Sequence, residues 1–356
     1  MAAGGTAGHV VPALAIADAL RDKGALVTFL GTAERAEATL VPEAGYEIDF
    51  LRVRGIDRSN PLRAVEALGL AARAVPAARK ALRARGAQAV LGGGGYVAAP
   101  AGLAARGLRL PLVLTESDRH LGLANRLLAR RARRVCLAFP IPGLEGDRYE
   151  VTGRPVPRAV LEADRESARA EFGLLPDERC LLVFGGSQGA LSINTAVLDG
   201  LVEPDPGFRV LCVTGARDHA LVSERVAAAG AEERFTVLEY LPNLGAALAA
   251  SDLVLARSGA SVFELAAAGR PAILVPYPHA TGRHQHLNAE WMADAGAAVV
   301  VEDEDLDGER VRALTTKLLS DDARLRSMAE ASAAVAVTDA AERIADIVLS
   351  SIGGAA

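Results

Sequence analysis

Short apolar runs that break on glycine-rich turns, each followed by a helical segment, constrain this chain more than any other feature. The strand-like runs are 26–30, 87–91, 111–115, 180–184, 210–214, 236–238, 253–256, 272–275 and 297–301, with helical spacing between them. Strand and helix alternating in this way require parallel sheets covered by helices. The pattern also restarts. Gly4–Gly8 opens the first half, and Gly185–Gly189 opens the second after the clean buried run Cys180–Phe184. Between them Val151–Pro157 reads as a hinge, a short strand whose path two prolines then fix. With 356 residues, more than one ordinary core is needed, so two α/β domains are expected, over 1–153 and 154–338. A tail helix should follow in 339–356, where Ile344, Ile347 and Val348 share one face that docks on a core.

The glycine loops carry the chemistry. A strand, a glycine turn and a helix N-terminus together offer free N–H groups and a positive dipole end, which suit a phosphate. Four consecutive glycines, Gly92–Gly95, let backbone approach a ligand closely before Tyr96. His9 stands at the mouth of the helix expected over 12–23. The dipole there lowers an imidazole's affinity for protons, so His9 is either a neutral proton acceptor or a helix cap. The loop Gly4–His9 begins almost at the first residue, so its preceding strand is expected to be truncated or to lie upstream of a misplaced start. In the second half, Glu264 lies one turn into a short helix over 262–268, where a carboxylate can accept from two ribose hydroxyls. A polar loop with His279, Arg283, His284, Gln285, His286 and Asn288 follows, with the mixed donors and acceptors a sugar ring requires.

Composition removes other classes. A net charge of −5 argues against a general nucleic-acid binder, although arginines crowd 61–85 and 123–134. Those basic helices are either solvated faces or a patch toward anionic lipid. The widely separated Cys136, Cys180 and Cys212 fit buried thiols of a reducing compartment. No apolar stretch approaches a membrane span and no signal segment opens the chain, so a cytosolic protein is expected. Asp303-Glu304-Asp305 imitates a metal-holding D-x-D, but Asp305–Gly308 equally caps a helix starting near Glu309, and no metal is expected. The first loop lacks G-x-G-x-x-G, which disfavours a nicotinamide dehydrogenase.

The ordered set GGTAGH (Gly4–His9), GGGGY (Gly92–Tyr96), TGRPV (Thr152–Val156), GGSQG (Gly185–Gly189), RSGAS…E (Arg257–Glu264) and HQHLNA (His284–Ala289) resembles the MurG family of peptidoglycan glycosyltransferases. The resemblance runs along nearly the whole chain. It implies the GT-B fold, two Rossmann-like domains facing across a cleft, with the C-terminal helix returning to the first. It implies an inverting transfer of N-acetylglucosamine from UDP-N-acetylglucosamine to a lipid-linked muramoyl-pentapeptide, at the anionic cytoplasmic face of the membrane and without a cofactor. By the same match Ser187 and Gln188 sit by the donor diphosphate and Leu241 by the uracil. Ala260 and Ser261 supply helix-terminal contacts, Glu264 meets the ribose, and Gln285 and Asn288 the sugar side. Thr6, Ala7, Gly8, Gly94, Tyr96 and Asn125 belong to the first domain's substrate site. His9, Glu116 and Asp118 are its catalytic candidates, with His9 or else Asp118 taking the acceptor's proton. The chain departs from the family at Ala7 (usually glycine), at Thr115-Glu116-Ser117-Asp118 (usually His-Glu-Gln-Asn) and at Pro157 (usually arginine). A UDP-N-acetylglucosamine 2-epimerase of the same fold and a non-catalytic nucleotide-sugar binding protein are the competing readings.

Overall fold

A computed structural model describes residues 1–55, 60–186, 189–241 and 243–353. The chain divides into two compact units, one formed by Met1–Pro157 with Val337–Ala356 and the other by Arg158–Ala336.

The first unit holds strands β1 (Thr28–Gly31), β2 (Glu47–Phe50), β3 (Val90–Gly92), β4 (Leu112–Glu116), β5 (Arg134–Leu137) and β6 (Tyr149–Val151). β1 and β2 pair in parallel, as do β3-β4-β5-β6 in that order. Ala2 forms parallel bridges to both Leu30 and Gly92, so the first residues occupy the position of a strand between the two groups. Ala2 N donates to Leu91 O at 2.8 Å, and Gly93 N donates to Ala2 O at 2.9 Å. The abbreviated strand thus still sets the height at which the Gly4–His9 loop leaves the sheet.

The helix after that loop starts five residues earlier than its pattern suggested, spanning Ala7–Asp22 with Pro12 inside it. Proline has no N–H for the carbonyl four residues back and its ring crowds that carbonyl. Here the carbonyl is that of Gly8, and Arg154 Nη2 donates to it at 2.6 Å. A side chain from the TGRPV segment thereby replaces the missing rung. The expected helix over 123–134 is also cut short. It spans Leu123–Leu128, continues as one 3₁₀ turn, and yields at Arg134 to β5, whose ladder with β4 takes the backbone groups instead. The terminal helix Ala340–Gly353 packs Ile344 and Val348 into a cluster with Ile16, Leu20, Leu91 and Val113. All three cysteines are free and buried, with burial pushing each thiol up to about 12.

The second unit holds β7 (Cys180–Phe184), β8 (Arg209–Val213), β9 (Phe235–Leu238), β10 (Leu253–Ala256), β11 (Ala272–Leu274) and β12 (Ala298–Val300). They form one parallel sheet in the order β12-β11-β10-β7-β8-β9. The order reverses beside β7. In open parallel sheets the crevice at such a reversal, beyond the carboxyl ends of the strands, is where ligands settle. β7 is buried at every position, as expected for a central strand covered on both faces. The apparent D-x-D is a 3₁₀ turn, Asp303–Asp305, and Asp307 caps the helix Gly308–Leu319 by accepting from Arg310 N at 2.7 Å.

Candidate functional site

In the first unit, the residues beyond β1, β3 and β4 converge on His9. The two glycine loops interlock. A Cβ on Gly95, whose φ is +73°, would stand 2.2 Å from Gly4 O, and one on Gly94 would stand 2.7 Å from His9 Cδ2. The Tyr96 ring lies beside Gly5. Thr6 Oγ1 and His9 Nδ1 are 3.2 Å apart, and with the proton on Nδ1 the other ring nitrogen is an acceptor. His9 is half-buried, and burial is the largest cause holding its pKa below the usual imidazole value. Arg154 lowers it further, while Asp118 and Glu37 pull it up.

Glu37 was not singled out by any sequence pattern. Its carboxylate is fully buried and accepts from Gly5 N at 2.9 Å, Thr32 N at 2.9 Å and Thr32 Oγ1 at 2.6 Å. It ties the Gly4–His9 loop to the end of β1, and it occupies one of the N–H groups a phosphate was expected to find. Among the described residues no acceptor faces the N–H groups of Thr6, Ala7 and Gly8, which lie at the N-terminus of a sixteen-residue helix.

Two candidates turn inward. Glu116 is buried, its oxygens accepting from Asp118 N (3.2 Å), Gly122 N (2.8 Å) and Asn125 Nδ2 (2.9 Å). Asn125 is buried too and also donates to Thr115 O at 2.9 Å. These contacts shape the loop between them, while Asn125 Oδ1 is buried without a hydrogen-bond partner among the described residues. Asp118 is exposed on that loop.

In the second unit, the segment expected to be a polar loop is largely helix, His284–Asp294, entered through a left-handed Arg283. Gln285 and Asn288 therefore stand one turn apart on one face. Asn288 Nδ2 donates to Ser258 O at 3.1 Å and Gly259 O at 3.3 Å, so this amide nitrogen braces the turn after β10. Gln285 Oε1 accepts from Tyr277 N at 2.9 Å. Ser258 Oγ donates to Gln285 O at 2.8 Å. Ala260, Ser261 and Glu264 are half-buried around the start of the helix Val262–Ala267, and Leu241 is half-buried just beyond β9. Gly189, with φ +74°, lies where a Cβ would meet Thr214 O at 2.1 Å. Ser187 and Gln188 fall outside the described residues. Among the described residues no group of three or more His, Cys, Asp or Glu is placed to hold a metal ion.

Residues 1–137 match the Glycosyltransferase family 28 N-terminal domain, and residues 180–344 match the Glycosyltransferase family 28 C-terminal domain. The chain is 40% identical to a UDP-N-acetylglucosamine--N-acetylmuramyl-(pentapeptide) pyrophosphoryl-undecaprenol N-acetylglucosamine transferase of Moorella thermoacetica, over 98% of this chain and 97% of that protein. It superposes on the crystal structure of MurG from Acinetobacter baumannii with a TM-score of 0.75 at 29% identity, covering 98% of each chain. A UDP-GlcNAc 2-epimerase from Neisseria meningitidis, bound to UDP-GlcNAc, superposes with a TM-score of 0.68 over 98% of this chain and 99% of that one. At 15% identity it shares the fold alone.

Proposed function

The chain belongs to the MurG family within glycosyltransferase family 28, and from that premise we propose that it transfers N-acetylglucosamine from UDP-N-acetylglucosamine to a muramoyl-pentapeptide carried on undecaprenyl diphosphate. The observation that carries the reading is full-length similarity to enzymes of that name together with two glycine-loop sites, one in each unit. A 2-epimerase is supported by fold likeness only.

In the proposed mechanism the first unit receives the acceptor. Its diphosphate meets the N–H groups of Thr6, Ala7 and Gly8, with Gly94 and Tyr96 alongside. His9 Nε2 takes the proton of the attacking sugar hydroxyl, a role that suits an imidazole kept neutral by burial. Asp118 supports the imidazolium that forms, while Glu116 and Asn125 hold the loop carrying Asp118. The second unit receives the donor. Ser187 and Gln188, together with Ala260 and Ser261, are assigned to the diphosphate, where hydrogen-bond donors offset the charge that grows as UDP departs. Glu264 takes the ribose, Leu241 the uracil, and Gln285 a sugar hydroxyl. Transfer to a short-chain lipid acceptor, followed as disaccharide product, tests the reading. Hydrolysis or epimerisation of the donor without that product refutes it.

The acceptor is oily, and we propose that the first unit rests on an anionic membrane surface. No helix among the described residues is long and apolar enough to cross a membrane. Leu62, Val65 and Leu68, successive turns of the helix Pro61–Ala84, are 83%, 68% and 55% exposed. A cavity of about 350 Å³ in the same unit has an apolar floor that includes Leu110, Leu112 and Leu128, and is rimmed by Arg106, Arg109, Arg130, Arg131, Arg133 and Arg148. Arginine clusters of this kind attract anionic headgroups at about 1 kcal/mol per cation. Charge reversal at Arg130 and Arg131 should abolish most sedimentation with phosphatidylglycerol vesicles and leave turnover of a water-soluble acceptor within threefold. Unchanged sedimentation refutes the membrane assignment.

A further inference from the structure

Asp303 is the acidic residue that the donor chemistry leaves without a role, and its contacts assign it one. Its Oδ1 lies 2.6 Å from Arg257 Nη1 and accepts from Ser192 Oγ at 2.7 Å. Arg257 Nη2 donates to the same Ser192 Oγ at 2.8 Å, closing a triangle. Arg257 is buried, and its Nη1 also donates to the carbonyls of Val275 and Pro276, at 3.3 Å each. Its guanidinium stands 5.5 Å from the centre of the Tyr277 ring.

These partners come from four different connections. Ser192 lies in the first turn of the helix Leu191–Leu201, which follows the glycine loop after β7. Arg257 opens the turn after β10, Val275 and Pro276 follow β11, and Asp303 follows β12. The four strands are neighbours in the sheet, and all four connections leave it at the carboxyl end. From Pro276 the chain of contacts continues through Tyr277 N to Gln285 Oε1, and from Ser258 Oγ to Gln285 O. One guanidinium therefore sets the spacing of the diphosphate-facing and sugar-facing segments.

A buried guanidinium needs an anion. Two could serve, the protein's own carboxylate or the diphosphate of the donor. We propose that Asp303 is a positioning residue for the donor site, holding Arg257 as a strut between the four connections and away from service as a phosphate ligand. This rests on the reading of the second unit as the UDP-sugar site. The pairing also accounts for the D-x-D-like segment without a metal, since its first carboxylate is engaged by Arg257 and Ser192.

The test compares Asp303→Asn, Asp303→Glu and Ser192→Ala with the unsubstituted protein. Turnover and UDP calorimetry are the readouts, and Trp291 fluorescence confirms folding. Loosened donor segments should raise the donor KM of Asp303→Asn about tenfold or more, with kcat within threefold and the acceptor KM unchanged. Asp303→Glu, which keeps the charge, should recover most of that loss. Ser192→Ala, which removes only the bridging hydroxyl, should raise the donor KM about threefold. A fall in the donor KM of Asp303→Asn would mean that the released Arg257 binds phosphate, and would overturn the proposal. So would a loss of stability with the donor KM unmoved, or failure of Asp303→Asn to fold while Ser192→Ala matches the unsubstituted enzyme. No UDP uptake by the unsubstituted protein would defeat the functional reading and this inference with it. Normal uptake with unaltered variants defeats the inference alone.

Discussion

Replacing Glu37 by glutamine tests how the first glycine loop is held. The carboxylate accepts three hydrogen bonds inside the protein, two on Oε1 from Thr32 and one on Oε2 from Gly5. Glutamine has the same shape, but only one of its two terminal atoms can accept. With its oxygen kept toward the two Thr32 donors, its NH₂ faces the Gly5 N–H, donor against donor. The lost bond is to a charged group and contributes about 1.5–3 kcal/mol, and leaving the half-buried Gly5 amide without that partner adds about 1 kcal/mol. Relief from burying a charge offsets part of this, so a net destabilisation of about 2 kcal/mol is expected. Glu37→Ala, which removes all three acceptors, should cost about 4 kcal/mol or more. The chain's single tryptophan, Trp291, lies in the second unit and does not report on this region. Amide hydrogen exchange does. In Glu37→Gln the Gly5 amide should exchange about 30-fold faster, the equivalent of 2 kcal/mol, and the urea midpoint followed by circular dichroism should fall. Exchange at Gly5 within twofold of the parent, with an unmoved midpoint, would refute the claim that this carboxylate anchors the loop.

Burial and Arg154 hold the His9 pKa below the ordinary imidazole value, so the acid limb of kcat/KM should lie below about pH 6.5. Asp118 opposes that depression, and Asp118→Asn should move the limb lower still; a limb above 6.5 excludes His9 as the base. Because the unfolded chain binds this proton more tightly, the His9 contribution to stability is complete above about pH 6.5 and is lost as pH falls toward the folded value, which acid titration of the urea midpoint measures. Gly189→Ala forces a positive φ on alanine and sets its Cβ 2.1 Å from Thr214 O, so a loss of about 3 kcal/mol is expected by Trp291 fluorescence in urea; less than 0.5 kcal/mol would refute it. Asp307→Ala removes a helix cap and should cost about 1 kcal/mol with the donor KM within twofold, in contrast to Asp303→Asn.

The parallel α/β architecture was legible in the residue pattern, because β strands buried on both faces must be continuous apolar runs and their return helices must carry a period of 3.6. The sequence also announced the glycine loops, since no other residue allows backbone to pass as closely as Gly95 passes Gly4 or Gly189 passes Thr214. It did not decide how side chains are engaged. Residue type did not show that Glu116 accepts from the Gly122 amide, or that the side-chain NH₂ groups of Asn125 and Asn288 donate to backbone carbonyls. Glu37 showed no pattern of its own, and the Gly5 amide it satisfies lies 32 residues away; the TGRPV motif held Arg154 but gave no sign that its partner is a carbonyl 146 residues away. Near the start of the first helix Arg154 likewise donates to the carbonyl that Pro12 cannot serve. Periodicity records which face of an element is dry; which donor meets which acceptor is settled only once distant segments are brought within 3 Å of each other.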